Sequence, residues 1–153
     1  MASRAPLRVA YIWGMTGLFT NDWATAWGEA LNRSAAYQAA GKHWEGALVL
    51  EAQADAARGL PATASVWLDL WRGTCREARL ATVDDLDQAR YVITGPLVVW
   101  LTVLSGDMAP TMAIVRGHLT LLRGSLLGLM PHVHAATELV RVAQQVTGGR
   151  LAP

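Results

Sequence analysis

The chain has 153 residues, enough for one domain that buries roughly two-thirds of its unfolded surface without covalent staples. Hydrophobic residues make up 52% and charged residues only 16%, with seven tryptophans against one phenylalanine, so the apolar surface exceeds what the size demands. A formal net charge of +1 excludes the electrostatic footprint of a nucleic-acid-binding protein, and no apolar run approaches the roughly 18–20 residues of a membrane span.

In chain order, Arg4 and Arg8 ahead of Val9–Phe19 imitate a secretory leader. Gly14, Thr16 and Gly17 interrupt that run, and no small-x-small site follows it cleanly. Residues 1–19 are expected to be a partly disordered extension, with Met15 an alternative start, and residues 148–153 a tail. Between them lies one domain, 20–147. Asn21 or Asp22 caps a helix over Asp22–Asn32, where Trp23, Ala24, Trp27, Ala30 and Leu31 recur at helical spacing. Ser34 caps a second helix, Ala35–Ala40, stopped by Gly41. From His43 the period becomes two. Trp44, Leu48 and Leu50 lie on one side of a first strand, Glu45, Val49 and Glu51 on the other, with Gly46 a candidate bulge. Residues 52–62 form a polar connection.

Strand two, Thr63–Trp71, sets Val66, Leu68 and Leu70 against Trp67, Asp69 and Trp71, apolar groups on both faces. Arg72-Gly73 reads as a hairpin turn into strand three, Cys75–Ala81. Asp84, Asp85 and Asp87 mark a solvated turn, and strand four, Ala89–Thr94, turns Tyr91 and Ile93 inward. Pro96 opens a helix in which Leu97–Leu104 is apolar except for Thr102. Apolar all round, it must be covered by a core, a partner or a lipid. A short helix over Thr111–Arg116 starts behind Asp107 and Pro110. A fifth strand, His118–Arg123, follows, its alternation broken by Leu122. The last helix, Leu126–Val146, carries a stripe of Leu126, Leu129, Met130, Val133, Ala136, Val140 and Ala143 opposite a wet face of His134, Glu138, Arg141 and Gln145, with a kink at Pro131. Strands joined mostly by short turns predict an α+β fold: a five-stranded, mainly antiparallel sheet with helices on one face.

Catalytic motifs are scarce. His132-x-His134 points to different sides of a helix, so no metal is expected, and no phosphate loop, dinucleotide fingerprint or nucleophile elbow calls for a cofactor. The Asp84-Asp85-Leu86-Asp87 cluster lacks the glycine and terminal glutamate of a calcium loop. Lone Cys75 excludes an internal disulfide, reads as an ordinary small side chain and suits a reducing, cytoplasmic setting. His134 and Glu138 read as a surface pair. Arg72, Arg76, Arg79 and Arg90 read as balancing nearby acids, the alternative being guidance of an anionic head group. Trp67 and Trp71 are candidates for a homodimer or ligand contact.

Trp23-Ala24 with Trp27, WLDLWRG at Trp67–Gly73, DQARYVITGP at Asp87–Pro96, SGDMAP at Ser105–Pro110 and GHLTLLRG at Gly117–Gly124 together resemble the sterol carrier protein family, the nonspecific lipid-transfer domain. The resemblance runs in order through residues 20–147. It implies a five-stranded sheet with helices over one face and an apolar tunnel between them for fatty acids, acyl-CoA or sterols, without catalytic apparatus. Leu97–Leu104 and Leu121-Leu122 are more uniformly apolar than the family leads one to expect. On this reading a hydrophobic ligand contacts Leu48, Leu50, Val66, Leu68 and Leu70 of the sheet and Leu97, Trp100, Leu101 and Leu104 of the apolar helix. Met112, Leu119, Leu121, Met130 and Val133 complete the contact set. A sixteen-carbon chain buried there gains on the order of 10 kcal/mol before the costs of association, and the void expected is about 300 Å³ or more. Two rivals are an interaction module whose apolar surface is buried in a homodimer or on a partner, and a small hydrolase or acyl-transferase using Ser105, Ser125 and His118.

Overall fold

The structure, a computed structural model, describes residues 17–147, so residues 1–16 of the extension expected over 1–19 and the tail over 148–153 lie outside the described residues. Leu18 and Phe19 already pack in the core, which therefore begins inside the segment read as extension. Helix α1, Asn21–Asn32, is capped by Thr20 and not by Asn21 or Asp22: the Thr20 hydroxyl accepts from the Trp23 N–H at 3.2 Å. Asn21 is engaged elsewhere, its side-chain oxygen accepting from the Leu80 N–H at 3.1 Å. Helix α2, Ala35–Ala40, has the expected Ser34 cap, which accepts from the Tyr37 N–H at 3.0 Å, and ends at Gly41.

The five strands are β1 Glu45–Gln53, β2 Ala64–Trp71, β3 Thr74–Leu80, β4 Tyr91–Pro96 and β5 Thr120–Arg123, in the order β3-β2-β1-β4-β5. All neighbours are antiparallel except β1 and β4. That parallel pair needs a long connection, supplied by the β2–β3 hairpin and a following helical turn. At the hairpin tip Arg72 and Gly73 have φ of 51° and 88°, a type I′ turn as its two-residue length requires. A Cβ on Gly73 would sit 2.5 Å from the Gln38 carbonyl oxygen, so the tip rests directly on α2. Gly46 is not a bulge; it pairs with Leu70 in unbroken register, and the irregularities fall at Asp69/Leu70 and Val92/Ile93. The second of these leaves Leu122 without a partner and exposed. Residues 52–62 contain a 3-10 turn, Ala56–Arg58.

The single-turn helix α3, Asp85–Gln88, is where the aspartates predict it, with Asp84 and Asp87 exposed as expected and Asp85 alone turned inward. Asp85 is 8% exposed, accepts from Arg79 at 2.6 and 3.1 Å and from the Thr82 N–H at 2.6 Å. The turn covers a small cluster of Ala47, Val49, Ala89 and Val92 on one sheet face. The main core fills the opposite face beneath α1, α2, α4 (Leu97–Leu104), α5 (Pro110–Val115), α6 (Leu126–Leu129) and α7 (Val133–Val146). At Pro131 the last helix does break, into α6, a 3-10 turn at Met130–His132, and α7. Each 3-10 residue turns by about 120° in place of about 100°, so the face beyond the break is rotated from the one drawn through it. Ala135, Glu138, Leu139, Val142 and Ala143 are buried, whereas Met130 is exposed and Val133, Ala136 and Val140 are half-buried. Glu138, expected on the wet face with His134, is 4% exposed and accepts from Arg141 at 2.9 Å.

Candidate functional site

Between the inward sheet face and helices α4, α5 and α7 lies a cavity of about 60 Å³. Its walls combine Leu48, Leu50, Leu70 and Ile93 of the sheet with Trp27, Tyr37, Trp44, Trp100 and Leu104, and close with Ile114, Leu119, Leu129, Leu139 and Val140. The tryptophan N–H groups do not leave this wall unsatisfied. Trp27 donates to the Leu139 carbonyl at 3.0 Å, Trp44 to Gly46 at 2.8 Å and Trp100 to Glu51 at 2.8 Å. An apolar surface with its polar edges tied into the backbone offers a guest dispersion and desolvation but few directional contacts. The expected void of about 300 Å³ is not there: the cavity has room for a few water-sized spheres, because α7 packs against α1, α2, α4 and α5 and closes the space above the sheet. A second, outer space of about 230 Å³ lies between α4, α5 and α7, and Pro110 and Val140 stand in the walls of both.

Of the fourteen residues proposed from the sequence, Leu48, Leu50, Leu70, Trp100, Leu104 and Leu119 line the inner cavity. Val66, Leu68, Leu97 and Leu101 are buried in the surrounding core and not in its wall. Leu121 and Val133 are half-buried, and Met112 and Met130, 42% and 46% exposed, lie outside the lining. The sequence stripe missed Leu139 because the 3-10 turn shifts the helix phase. Ile93 and Trp44 carried their signal in strand parity, as both were read on inward faces.

Three polar side chains interrupt the apolar wall: Tyr37, Thr111 and His132. Burial holds the Tyr37 phenol protonated, well above its ordinary range. His132 was weighed from the sequence only as half of a metal pair. Its ring meets Trp44 edge-on, centroids 4.7 Å apart, and burial, Arg90 and His43, in that order, hold its pKa below the usual histidine range. The Arg90 guanidinium lies 5.4 Å from the Trp44 ring centroid and 5.6 Å from that of Tyr91.

The other candidates are used structurally. Cys75 is buried, and burial above all pushes its thiol up to about 11, so it is held as a thiol. The Ser105 hydroxyl donates to the Thr102 carbonyl at 2.9 Å, and Ser125 accepts from the Gly128 N–H at 3.1 Å as the α6 cap, while His118 is exposed. Arg72 pairs with Glu45, Arg76 with Asp69, and Arg79 with Asp85 and Glu77. Trp71 and Trp67 stack beneath these arginines, Arg76 at 4.7 Å from the Trp71 centroid and Arg79 at 5.2 Å from that of Trp67. Among the described residues no group of three or more His, Cys, Asp or Glu could hold a metal, and no helix is long and apolar enough to cross a membrane.

No family model and no curated protein matches the chain. Solved structures do. A crystal structure of sterol carrier protein 2 superposes with a TM-score of 0.75 at 41% identity, covering 84% of this chain and 98% of the other. The solution structure of a conserved hypothetical protein from Thermus thermophilus, a candidate sterol carrier protein, superposes with a TM-score of 0.76 at 41% identity, covering 84% of this chain and 89% of the other.

Proposed function

The chain belongs to the sterol carrier protein family, and on that premise we propose that it binds and carries a hydrophobic ligand, a fatty acid, acyl-CoA or sterol-like lipid, without catalysing a reaction on it. The observation that carries this reading is the inner cavity, whose wall is apolar apart from three side chains and whose tryptophan N–H groups are bonded internally. The cavity as it stands is too small for an alkyl chain. Only Pro110 and Val140 are common to it and the outer space, and the two together approach the volume a lipid chain needs. Displacing α5 and α7 slightly at these residues joins them into one tunnel. Each methylene buried there contributes about 0.8 kcal/mol, which favours opening as the chain lengthens. The serines and His118 offered no competing arrangement, since the two hydroxyls are occupied in helix caps. The buried free thiol of Cys75 supports a reducing, cytoplasmic setting.

Native mass spectrometry of freshly purified protein tests the reading. A co-purified adduct of lipid mass, or uptake of added dodecanoate or cholesterol, is the expected result. A clean protein mass with uptake of neither would overturn it.

A further inference from the structure

We propose that the end of the cavity at His132 and Arg90 is a head-group subsite, and that the preferred ligand is a long-chain amphiphile carrying an anionic carboxylate or phosphate; this rests on the lipid-carrier reading and narrows it. Four arginines near β3 and β4 could have guided an anion, and the structure separates them. Arg72, Arg76 and Arg79 are each matched with a carboxylate, whereas Arg90 forms no ion pair among the described residues. Its guanidinium donates to the Glu45 carbonyl oxygen at 2.6 Å, which fixes it and leaves its charge uncompensated.

Arg90 is not itself in the cavity wall but packs on a residue that is. It lies over Trp44 and Tyr91, whose ring centroids are 5.2 Å apart, and Trp44 is part of the cavity wall. His132, also in that wall, meets the same tryptophan edge-on. Burial first, then Arg90 and His43, disfavours protonation of His132, so two basic groups lie near it. The chain has no Asp or Glu between Asp107 and Glu138, Lys42-His43 precedes Trp44, and Glu45, the acid that follows it, has its carboxylate matched with Arg72. The chemistry is thus graded. The inner wall takes the alkyl tail, the His132 imidazole supplies an N–H donor at the cavity end, and Arg90 a fixed cation just beyond it.

The outer space offers the opposite orientation, with Arg141 in its wall. Arg141 is already neutralised by Glu138 at 2.9 Å, so an anion there would have to displace a carboxylate. Arg90 has no such competitor.

Binding of dodecanoate, dodecyl phosphate and dodecanol to the full chain, followed by calorimetry at pH 7, tests the proposal. The two anions should bind about tenfold more tightly than the alcohol, and whichever is tighter identifies the head group. In Arg90→Gln that ratio should collapse toward one, and in Arg90→Lys it should partly recover. The His132 imidazole resonance gives a readout that needs no variant: dodecanoate should raise its titration midpoint and dodecanol should not. Equal binding of acid and alcohol by the unaltered protein would overturn the proposal while leaving lipid carriage intact. Loss of the ratio in Arg141→Gln with its survival in Arg90→Gln would place the head in the outer space, also overturning it. Binding of none of the three, nor of cholesterol, would instead remove the carrier reading on which it rests.

Discussion

The two sides of the sheet's helical face are built to different standards. Toward β3, α1 lies so close that a Cβ on Gly28 would sit 2.5 Å from the Ala78 Cβ and 3.2 Å from the Cys75 sulfur. The Asn32 side chain extends this contact as a strand would, donating to the Cys75 carbonyl and accepting from the Cys75 N–H, each at 2.8 Å. Toward β5, by contrast, the last helix is broken into three pieces, the cavity and the outer space flank α5, and Met112, Val115, Leu122, Leu127 and Met130 are left exposed. One side has no slack and the other has a fault line. On the proposed reading the ligand's route lies toward α5, so that side can deform without opening the α1–β3 contact.

The largest effect is expected from removing the tight contact. Gly28→Val forces a branched side chain into the space of Ala78 and should cost about 3 kcal/mol, read as a lower urea midpoint with an unchanged slope. At a temperature where the variant is still folded, ligand uptake should match the unaltered protein. A variant as stable as the parent would mean α1 and β3 can separate freely, and the comparison would fail.

A somewhat smaller effect is expected at Asp85, on the face away from the cavity. The Arg79 guanidinium, ahead of the Thr82 N–H and hydroxyl, holds this carboxyl at about 2 against an ordinary 3.8. The folded value is the lower one, so the unfolded chain takes up the proton first. The stabilisation, roughly 2 kcal/mol, is therefore complete above about pH 5 and lost as pH falls through 4 toward 2. The gap in urea midpoint between Asp85→Asn and the unaltered protein, measured at pH 7 and at pH 2, should nearly close at the lower pH, with about half of it left at pH 3. A gap of the same size at both would show that the carboxylate is not responsible.

Elements and strand faces could be read from residue patterns, and which of their apolar residues meet at the cavity could not. The Trp23–Trp27–Leu31 spacing gave α1, strand parity put Leu48, Leu50 and Leu70 inward, and Arg72-Gly73 announced the hairpin, because each depends on neighbours within a few residues. The cavity depends on packing between segments far apart in the chain. Leu97 and Leu101 are as apolar as Leu104, yet only Leu104 reaches the wall. Leu139 was hidden by a phase change at Met130–His132 that Pro131 signals in kind but not in angle. His132 gains its meaning from Trp44, 88 positions away, and nothing in the local sequence marks that meeting.

The smallest change in stability, with the sharpest change in function, is expected at Val140. It is half-buried, lies on α7 beyond the break, and with Pro110 separates the inner cavity from the outer space. Val140→Phe adds bulk on the side that has room for it, so the cost should stay within about 1 kcal/mol. The same ring blocks the joining of the two spaces, so uptake of dodecanoate by native mass spectrometry should fall tenfold or more. Gly28→Val and Val140→Phe then form a crossed pair: one loses stability and keeps the ligand, the other keeps stability and loses it. If Val140→Phe takes up dodecanoate normally, the alkyl chain does not pass between α5 and α7, and the room for it must be made by lifting α6 and the Met130–His132 turn from Tyr91, whose hydroxyl already lies where a Cβ on Gly128 would stand.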